Sequence, residues 1–508
     1  GWTGQLSNSA DTIVLKDKLG VVVDELDYAD DGDWAVRERD DLNDQHRGWR
    51  WRSQADGYGK SLELINAGFD NRHGQNWGAS TMAGGTPGAA NSLAAPDIAP
   101  VVGDVRHFPL APASTEAVTV TATVLDDRAA VVTVTVSYRN DGAATWITAP
   151  MFDDGAHGDG SAGDKTFGAR LPAQADGTVV EYYVSATDGS HARTWPAPAL
   201  NNATQGAPFV AEQSQNCHYQ VDNTTYAGAM PLYRFVMKAA DRATLAAINL
   251  GLGISSHARF NATFISVDGT GTELRHVTGL RNRGHGTSFR QPQSFNVAIP
   301  SDRPWKGRTS LNLNAQFTYL QLRGSAFMHR AGLPTPESRQ VQIRVNHVDP
   351  TGGSTTPPSC GFYVSNEVLD SDFATHHFPT DSGGNLYSVR RGDADPFQEG
   401  DFTHLTPEGR NGADPYRPVY SKNTNESADN WGDLISLTQS LAKGHFTTLL
   451  APPTWDGDYV AAVQAKVDVD QWMTWFAAEA LIGNGESNLA NGIGDDFYFY
   501  MGVSDPRA

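Results

Sequence analysis

The chain has 508 residues and a net charge of −20, with 39% hydrophobic and 19% charged residues. That length suits about three or four domains, and the apolar content excludes disorder. The acidic balance argues against nucleic acid and anionic membranes as partners and favours cations. No apolar run reaches the roughly 18 residues of a membrane span.

The 51 glycines and 27 prolines point to loop-rich, β-rich domains. Cys217 and Cys360 make no zinc motif. They either close one long loop as a disulfide, as in an exported protein, or remain two separate thiols. The chain opens in strand-like sequence at Gly1-Trp2 and stops at Pro506-Arg507-Ala508, so both ends read as cut from a longer protein.

Residues 1–92 alternate short apolar runs with turns. Thr12 to Leu15 and Val21 to Val23 read as a hairpin, and Ser61 to Ile65 as a further strand. Trp34, Trp49, Trp51 and Trp77 either fill a sandwich core or form a sugar-binding face. Residues 93–103 form a Pro/Ala linker. Residues 104–211 read as a second β-sandwich, because Val118 to Val124, Val132 to Val136 and Val180 to Val184 alternate with period two. Within it, Asp153, Asp154, Asp159 and Asp164 sit among glycines. Their oxygens could hold Ca²⁺, although the glutamate of an EF-hand is missing. A solvated Asx-Gly turn is the alternative.

From 212 the pattern is mixed. Asp241 reads as the cap of a short helix with Leu245 and Ile248 on one face. Strands follow at Phe260 to Val267, Val277 to Arg283 and Ser294 to Ile299. A Gly284-to-Ser288 turn joins the last two, flanked by Arg281, Arg283 and Arg290. Its amides and guanidinium groups could hold phosphate, or it is a plain hairpin with surface arginines. Tyr319 to Ala331 reads as a helix, Gln340 to Val345 and Gly361 to Ser365 as a strand pair, and Asn430 to Lys443 as another helix. Glu367 and Asp370 follow the strand pair. Asp468 caps a last helix whose apolar face is Val469, Trp472, Met473, Phe476 and Ala480, ended by Gly483. A polar loop then leads to Asp495-Asp496 and the aromatic run Phe497 to Tyr500. Glu486, Asp495 and Asp496 sit on the rim of this helix–loop–strand cradle, either as a metal or phosphoryl-transfer site or as an ordinary capped corner.

The segments GQLSNSADTIVLKDKLGVVVDELDY, GYGKSLELI, NWGAS and GGTPGAANS resemble the lamin tail domain, an immunoglobulin-like sandwich that occurs in exported bacterial proteins. The family's opening strands are missing here. Residues 104–211 resemble an immunoglobulin or fibronectin type III module.

The ordered set LRNRGHGTSFRQPQSFNVAIP, LNLN, LRGSAFMHRAGLP, CGFYVSNEVLDSDF, GNLYSVRRG, DVDQWMTWFAAEALIGNGESN and DDFYFY is similar to the spore-coat CotH family, an atypical protein-kinase fold. The resemblance spans roughly 217–503, within an expected domain of 212–508. It implies transfer of the ATP γ-phosphoryl group to Ser or Thr of a protein substrate, with Mg²⁺ or Mn²⁺. Glu486 takes the place of the catalytic Asp, with Asp495 beside the site. Asp496 takes the place of a metal-ligating Asn. Arg281, Arg283, Arg290 and Glu367 would serve ATP and phosphate. Gln291-Pro292-Gln293 stands where relatives often carry lysines, and the family's second Mg²⁺-binding Asp would fall beyond Ala508.

The expected architecture is therefore two all-β immunoglobulin-like sandwiches followed by an α+β kinase-like domain. The expected setting is extracellular, either secreted or at the cell surface. The two functional readings are a CotH-type kinase and a catalytically inactive scaffold with surface-matrix partners and self-association. Carbohydrate binding by the first domain is a third.

Overall fold

A computed structural model describes residues 6–7, 9–128, 131–248, 256–284, 290–389, 400–405, 415–442, 457–484 and 496–507. The chain divides into a first unit of Gly1–Thr318 with Gln340–Ser365 and a second of Tyr319–Arg339 with Asn366–Ala508.

In the first unit, β1 (Ala10–Lys16) and β2 (Val22–Ala29) form the expected antiparallel hairpin. Asp17 shapes its turn by accepting the N–H of Leu19 at 2.8 Å and of Val21 at 2.9 Å. Strands β3 (Val36–Arg39), β4 (Trp49–Arg52), β5 (Leu62–Leu64) and β6 (Trp77–Ala79) are short. The expected sandwich over 1–92 thus appears as three small sheets: β1 with β2, β5 with β6, and β3 with β4 in a sheet that also takes two later strands. The physical reason lies in the side chains. Val14, Leu15, Val22 and Val23 stay exposed. Strands β3 and β4 carry charges that pair with each other, Glu38 with Arg50 at 3.0 Å and with Arg52 at 2.8 Å. Trp34 and Trp49 are buried, whereas Trp51 and Trp77 are half-buried.

The sandwich comprises β7 (Val101–Phe108), β8 (Val118–Leu125), β9 (Thr133–Asn140), β10 (Ile147–Met151), β11 (Thr166–Leu171), β12 (Val179–Thr187) and β13 (Ala192–Trp195). Strands β14 (Ala199–Asn201) and β15 (Val210–Glu212) join β3 and β4, and β16 (Cys217–Gln220) adds to β12. One sheet runs β11-β8-β7 and the other β10-β9-β12-β13. Burial alternates strictly along β8, as the period-two pattern requires. Val118, Val120, Ala122 and Val124 meet Val136, Tyr182 and Val184 in one core, each buried valine contributing roughly 1.5–3 kcal/mol. Strand β7 begins within the stretch read as linker, and β16 lies in the stretch read as the last domain. Cys217 is buried in the sandwich core, and both it and Cys360 are free thiols.

A closed barrel follows, built from β17 (Leu232–Val236), β18 (Phe260–Val267), β19 (Thr272–Arg283), β20 (Ser294–Ala298), β21 (Ser310–Asn314), β22 (Ser338–Val345) and β23 (Tyr363–Asn366). The order is β17-β18-β19-β20-β21-β23-β22, and β17 closes the ring by pairing parallel to β22. Phe235, Phe264, Leu280, Val297, Leu313 and Ile343 fill the core, with Phe235 stacked on Phe264 at 5.2 Å. Helix α1 (Ala239–Ala247) starts after Lys238, so Asp241 lies in its first turn and is not the cap. The capping oxygen comes from elsewhere: Asp141 Oδ2 accepts the Ala239 N–H at 2.6 Å. Leu245 and Ile248 are buried as expected.

The second unit holds α2 (Thr318–Arg330), α3 (Ser371–His377), α4 (Gly432–Ala442), α5 (Gly457–Gln464) and α6 (Val469–Ile482). Its sheet runs β25 (Tyr420–Lys422), β24 (Asn385–Val389), β26 (Tyr498–Met501). Tyr387, Phe402, Tyr420, Trp431, Phe497 and Phe499 pack with Leu434 and Leu437 of α4 in its core. The C-terminal half is therefore a β-barrel and a mainly helical unit with a small sheet, where one α+β kinase-like domain was expected.

Candidate functional site

The cradle read from the sequence is set up by α6 and β26. Asp468 caps α6 by accepting the Gln471 N–H at 3.1 Å, and Gly483 ends it at φ +64°, a conformation glycine adopts without strain. The buried stripe of α6 differs from the expected face. Trp472 and Trp475 pack partly buried against the aromatic core and Ala478 and Glu479 are buried, while Val469, Met473 and Ala480 are exposed. After the loop, Asp496 adopts φ +54° and donates its N–H to the Val389 carbonyl at 3.1 Å. Strand β26 then pairs antiparallel with β24, Phe499 opposite Tyr387.

These elements enclose a cavity of about 510 Å³. Trp472, Trp475, Phe378 and Phe497 give it aromatic walls, and Asp496, Asp381, Asp468 and Glu479 give it an acidic lining. Such a cavity combines stacking faces with cation-attracting oxygens. Burial pushes the Tyr498 hydroxyl well above its ordinary range, and its O–H donates to the Pro334 carbonyl at 2.8 Å. Asp381 is held low despite partial desolvation, because the N–H groups of Val503, Ser504 and Asp505 converge on its carboxylate.

Asp496, expected as a metal ligand, lies on the cavity wall. Glu486 and Asp495 fall outside the described residues, as does most of the Gly284-to-Ser288 turn. Arg281 and Arg283 stand at the end of β19. Burial draws Arg281 below its ordinary pKa, Arg283 donates to Asn314 Oδ1 at 2.7 Å, and Arg290 is exposed.

Glu367, expected near phosphate, is buried against two histidines that sequence reasoning passed over. His376 Nδ1 and His377 Nε2 each lie 2.9 Å from one of its carboxylate oxygens. The signal available was the His-His pair ending a short helix capped by Asp370, whose carboxylate accepts the Asp372 N–H at 3.0 Å.

In the sandwich, the four aspartates of the glycine-rich turn each accept backbone N–H groups. Asp159 accepts from Asp154, Gly155 and His157 at 2.7–2.9 Å. Asp153 accepts from Gly163, Asp164 and Lys165. Asp164 accepts from Ser161 and Thr166, and Asp154 from Ala156. Among the described residues, the groups of three or more ligand-type side chains that converge are Glu367, His376, His377 and Asp97, Asp188, His191. Also among the described residues, no helix is long and apolar enough to cross a membrane.

Residues 280–506 match the family model of the CotH kinase protein. Residues 111–191 match that of the conditioned medium factor second Ig-like domain. No curated protein matches the chain. The chain thus carries an Ig-like domain and, C-terminal to it, a CotH domain.

Proposed function

We propose that the CotH domain is a kinase-like module of an exported, multidomain surface protein, and that it transfers the ATP γ-phosphoryl group to a Ser or Thr hydroxyl of a protein partner. One observation supports this most directly: Asp496, in the place of a metal-ligating residue, faces an aromatic, acid-lined cavity at the head of β26. Bound Mg²⁺ or Mn²⁺ would neutralise phosphate charge, the main task in such transfers. Asp496 would hold the ion, and Glu486 would orient the acceptor hydroxyl and take its proton. Arg281, Arg283, Arg290 and Glu367 have their ATP-binding roles from the resemblance alone. The lamin tail reading of residues 1–92 fits the same exported setting.

The test is transfer of label from γ-labelled ATP to protein with Mg²⁺ or Mn²⁺. Wild type should incorporate label, and Glu486→Gln and Asp496→Asn should each lose about a hundredfold or more. Equal incorporation in all three would remove both residues from the mechanism.

A second reading, a catalytically inactive scaffold, is favoured by Gln293. It occupies the stretch where relatives often carry lysine, and its amide is buried against the Ile248 carbonyl at 3.0 Å. Absence of both ATP binding and label transfer in wild type would select this reading.

A further inference from the structure

Glu367 follows the strand segment that ends at Asn366, and three residues later Asp370 caps α3. That short helix returns the chain so that its last turn, His376 and His377, meets the Glu367 carboxylate. His376 Nδ1 is 2.9 Å from Oε1 and His377 Nε2 is 2.9 Å from Oε2. The three ligand atoms lie within 4.8 Å of one another. We propose that Glu367, His376 and His377 form a transition-metal site that takes Zn²⁺ through one carboxylate oxygen and two imidazole nitrogens.

The donor set suits a borderline cation, with two imidazoles and one carboxylate leaving a fourth position for water. In a tetrahedral site with bonds of about 2.0–2.1 Å, ligand atoms stand about 3.3 Å apart, a spacing that falls inside the 4.8 Å spread of the three ligand atoms. On binding, each imidazole presents the lone pair of the nitrogen that now faces Glu367, and any proton on that nitrogen passes to the far nitrogen of the ring or to solvent.

The surroundings are those of a supported site. Glu337 Oε1 lies 3.8 Å from His376 Nε2, the nitrogen that carries the proton once Nδ1 binds metal. A carboxylate behind a metal-bound imidazole is the usual outer-shell arrangement. The Glu337 N–H fixes the Glu367 carboxylate at 3.0 Å, and the Phe373 ring, 4.2 Å from that of His377, fixes the second imidazole. The Glu367 and His377 side chains are 2% and 10% exposed, while that of His376 is 45% exposed and gives an ion its way in.

The test uses the 508-residue chain, stripped with a chelator and titrated with Zn²⁺ against a chromophoric competitor, without nucleotide. We expect one Zn²⁺ per chain. His376→Gln, at the more exposed position, and Glu367→Gln should each weaken binding at least tenfold with an unchanged far-UV spectrum. A wild-type chain that cannot compete for Zn²⁺ overturns the proposal. So does full stoichiometry in the folded His376→Gln, His377→Gln double variant, which would put the ion elsewhere. The measurement is independent of phosphoryl transfer, so its failure and the failure of the kinase reading are separate results.

Discussion

Tyr182 Oη lies 3.0 Å from His276 Nε2, a buried hydrogen bond between strand β12 of the sandwich and β19 of the barrel. The contact belongs to a longer chain of groups. His107 Nδ1 is 3.1 Å from the same hydroxyl, and His276 Nδ1 is 3.0 Å from Thr263 Oγ1. Every member is buried and finds a partner within the protein.

The two imidazoles make stability depend on pH. Burial pushes His107 down to about 4 and His276 well below its ordinary value. The unfolded chain takes up these protons near pH 6.5, whereas the folded chain protonates His107 only at about pH 4 and resists protonation of His276 well below its ordinary range. Stability therefore falls as pH drops through that window, by at most about 1.4 kcal/mol per pH unit for each histidine. Urea melts from pH 7.5 to 4.5 should show this slope, and His107→Gln should flatten it. Parallel curves for the two proteins would refute the account.

Asp302 acts in the opposite sense. Burial raises its carboxyl, and Asp33 and Asp31 add to that against the pull of Arg303. Its Oδ2 accepts the Asp33 N–H at 2.8 Å, an acceptor role an amide oxygen can fill. A raised folded-state value means that stability is lost as pH climbs from the ordinary carboxylate range towards neutrality. Asp302→Asn should therefore melt above wild type at pH 8, with the gap closing at pH 4.5. A gap that is constant with pH would count against a raised carboxyl.

Glu181 is 1% exposed and faces Lys238 at 3.0 Å, with Arg139 and Asn216 as further partners. Removing Glu181 leaves Lys238 and Arg139, whose side chains are 21% and 22% exposed, without their buried acceptor, at a cost of about 1–3 kcal/mol. Glu181→Ala should show that loss in chemical denaturation, whereas Asp104→Ala, in an exposed pair with Arg106, should lose less than about 1 kcal/mol.

Asp159 is buried and takes three backbone N–H groups. Asp159→Asn turns an amide N–H₂ towards some of those donors and should destabilise the sandwich by about 1–3 kcal/mol, measured in EGTA. Calcium added to wild type is the second arm. A rise in melting temperature that Asp159→Asn abolishes would show that the turn also holds that ion.

The sequence pattern predicted the sandwich strands well, because apolar residues alternate with threonines along Val118 to Val124 of β8 and one face must be buried. The Asp468 cap and the Gly483 stop were equally legible, being local backbone chemistry. The phase of α6 was not. Its residues VDQWMTWFAAEALI are apolar nearly all round, so spacing alone could not choose between the Met473 face and the Trp475 face. Long-range pairings were also hidden. Nothing near Cys217 announces that β16 joins β12. Nor does anything local announce that His376 and His377 meet Glu367, since the meeting depends on how a seven-residue helix turns back. The position of Asp496 at the head of β26 was legible because it abuts an aromatic strand.

The barrel seam has a consequence for synthesis. Leu232 to Phe235 on β17 find their parallel partners only at Gln342 to Val345 on β22. A ribosome must emit more than a hundred further residues before that edge is covered, and until then an apolar strand with unpaired amides waits in solution. Such distant closure is slow, and an apolar strand edge left uncovered for that time is open to pairing with another chain.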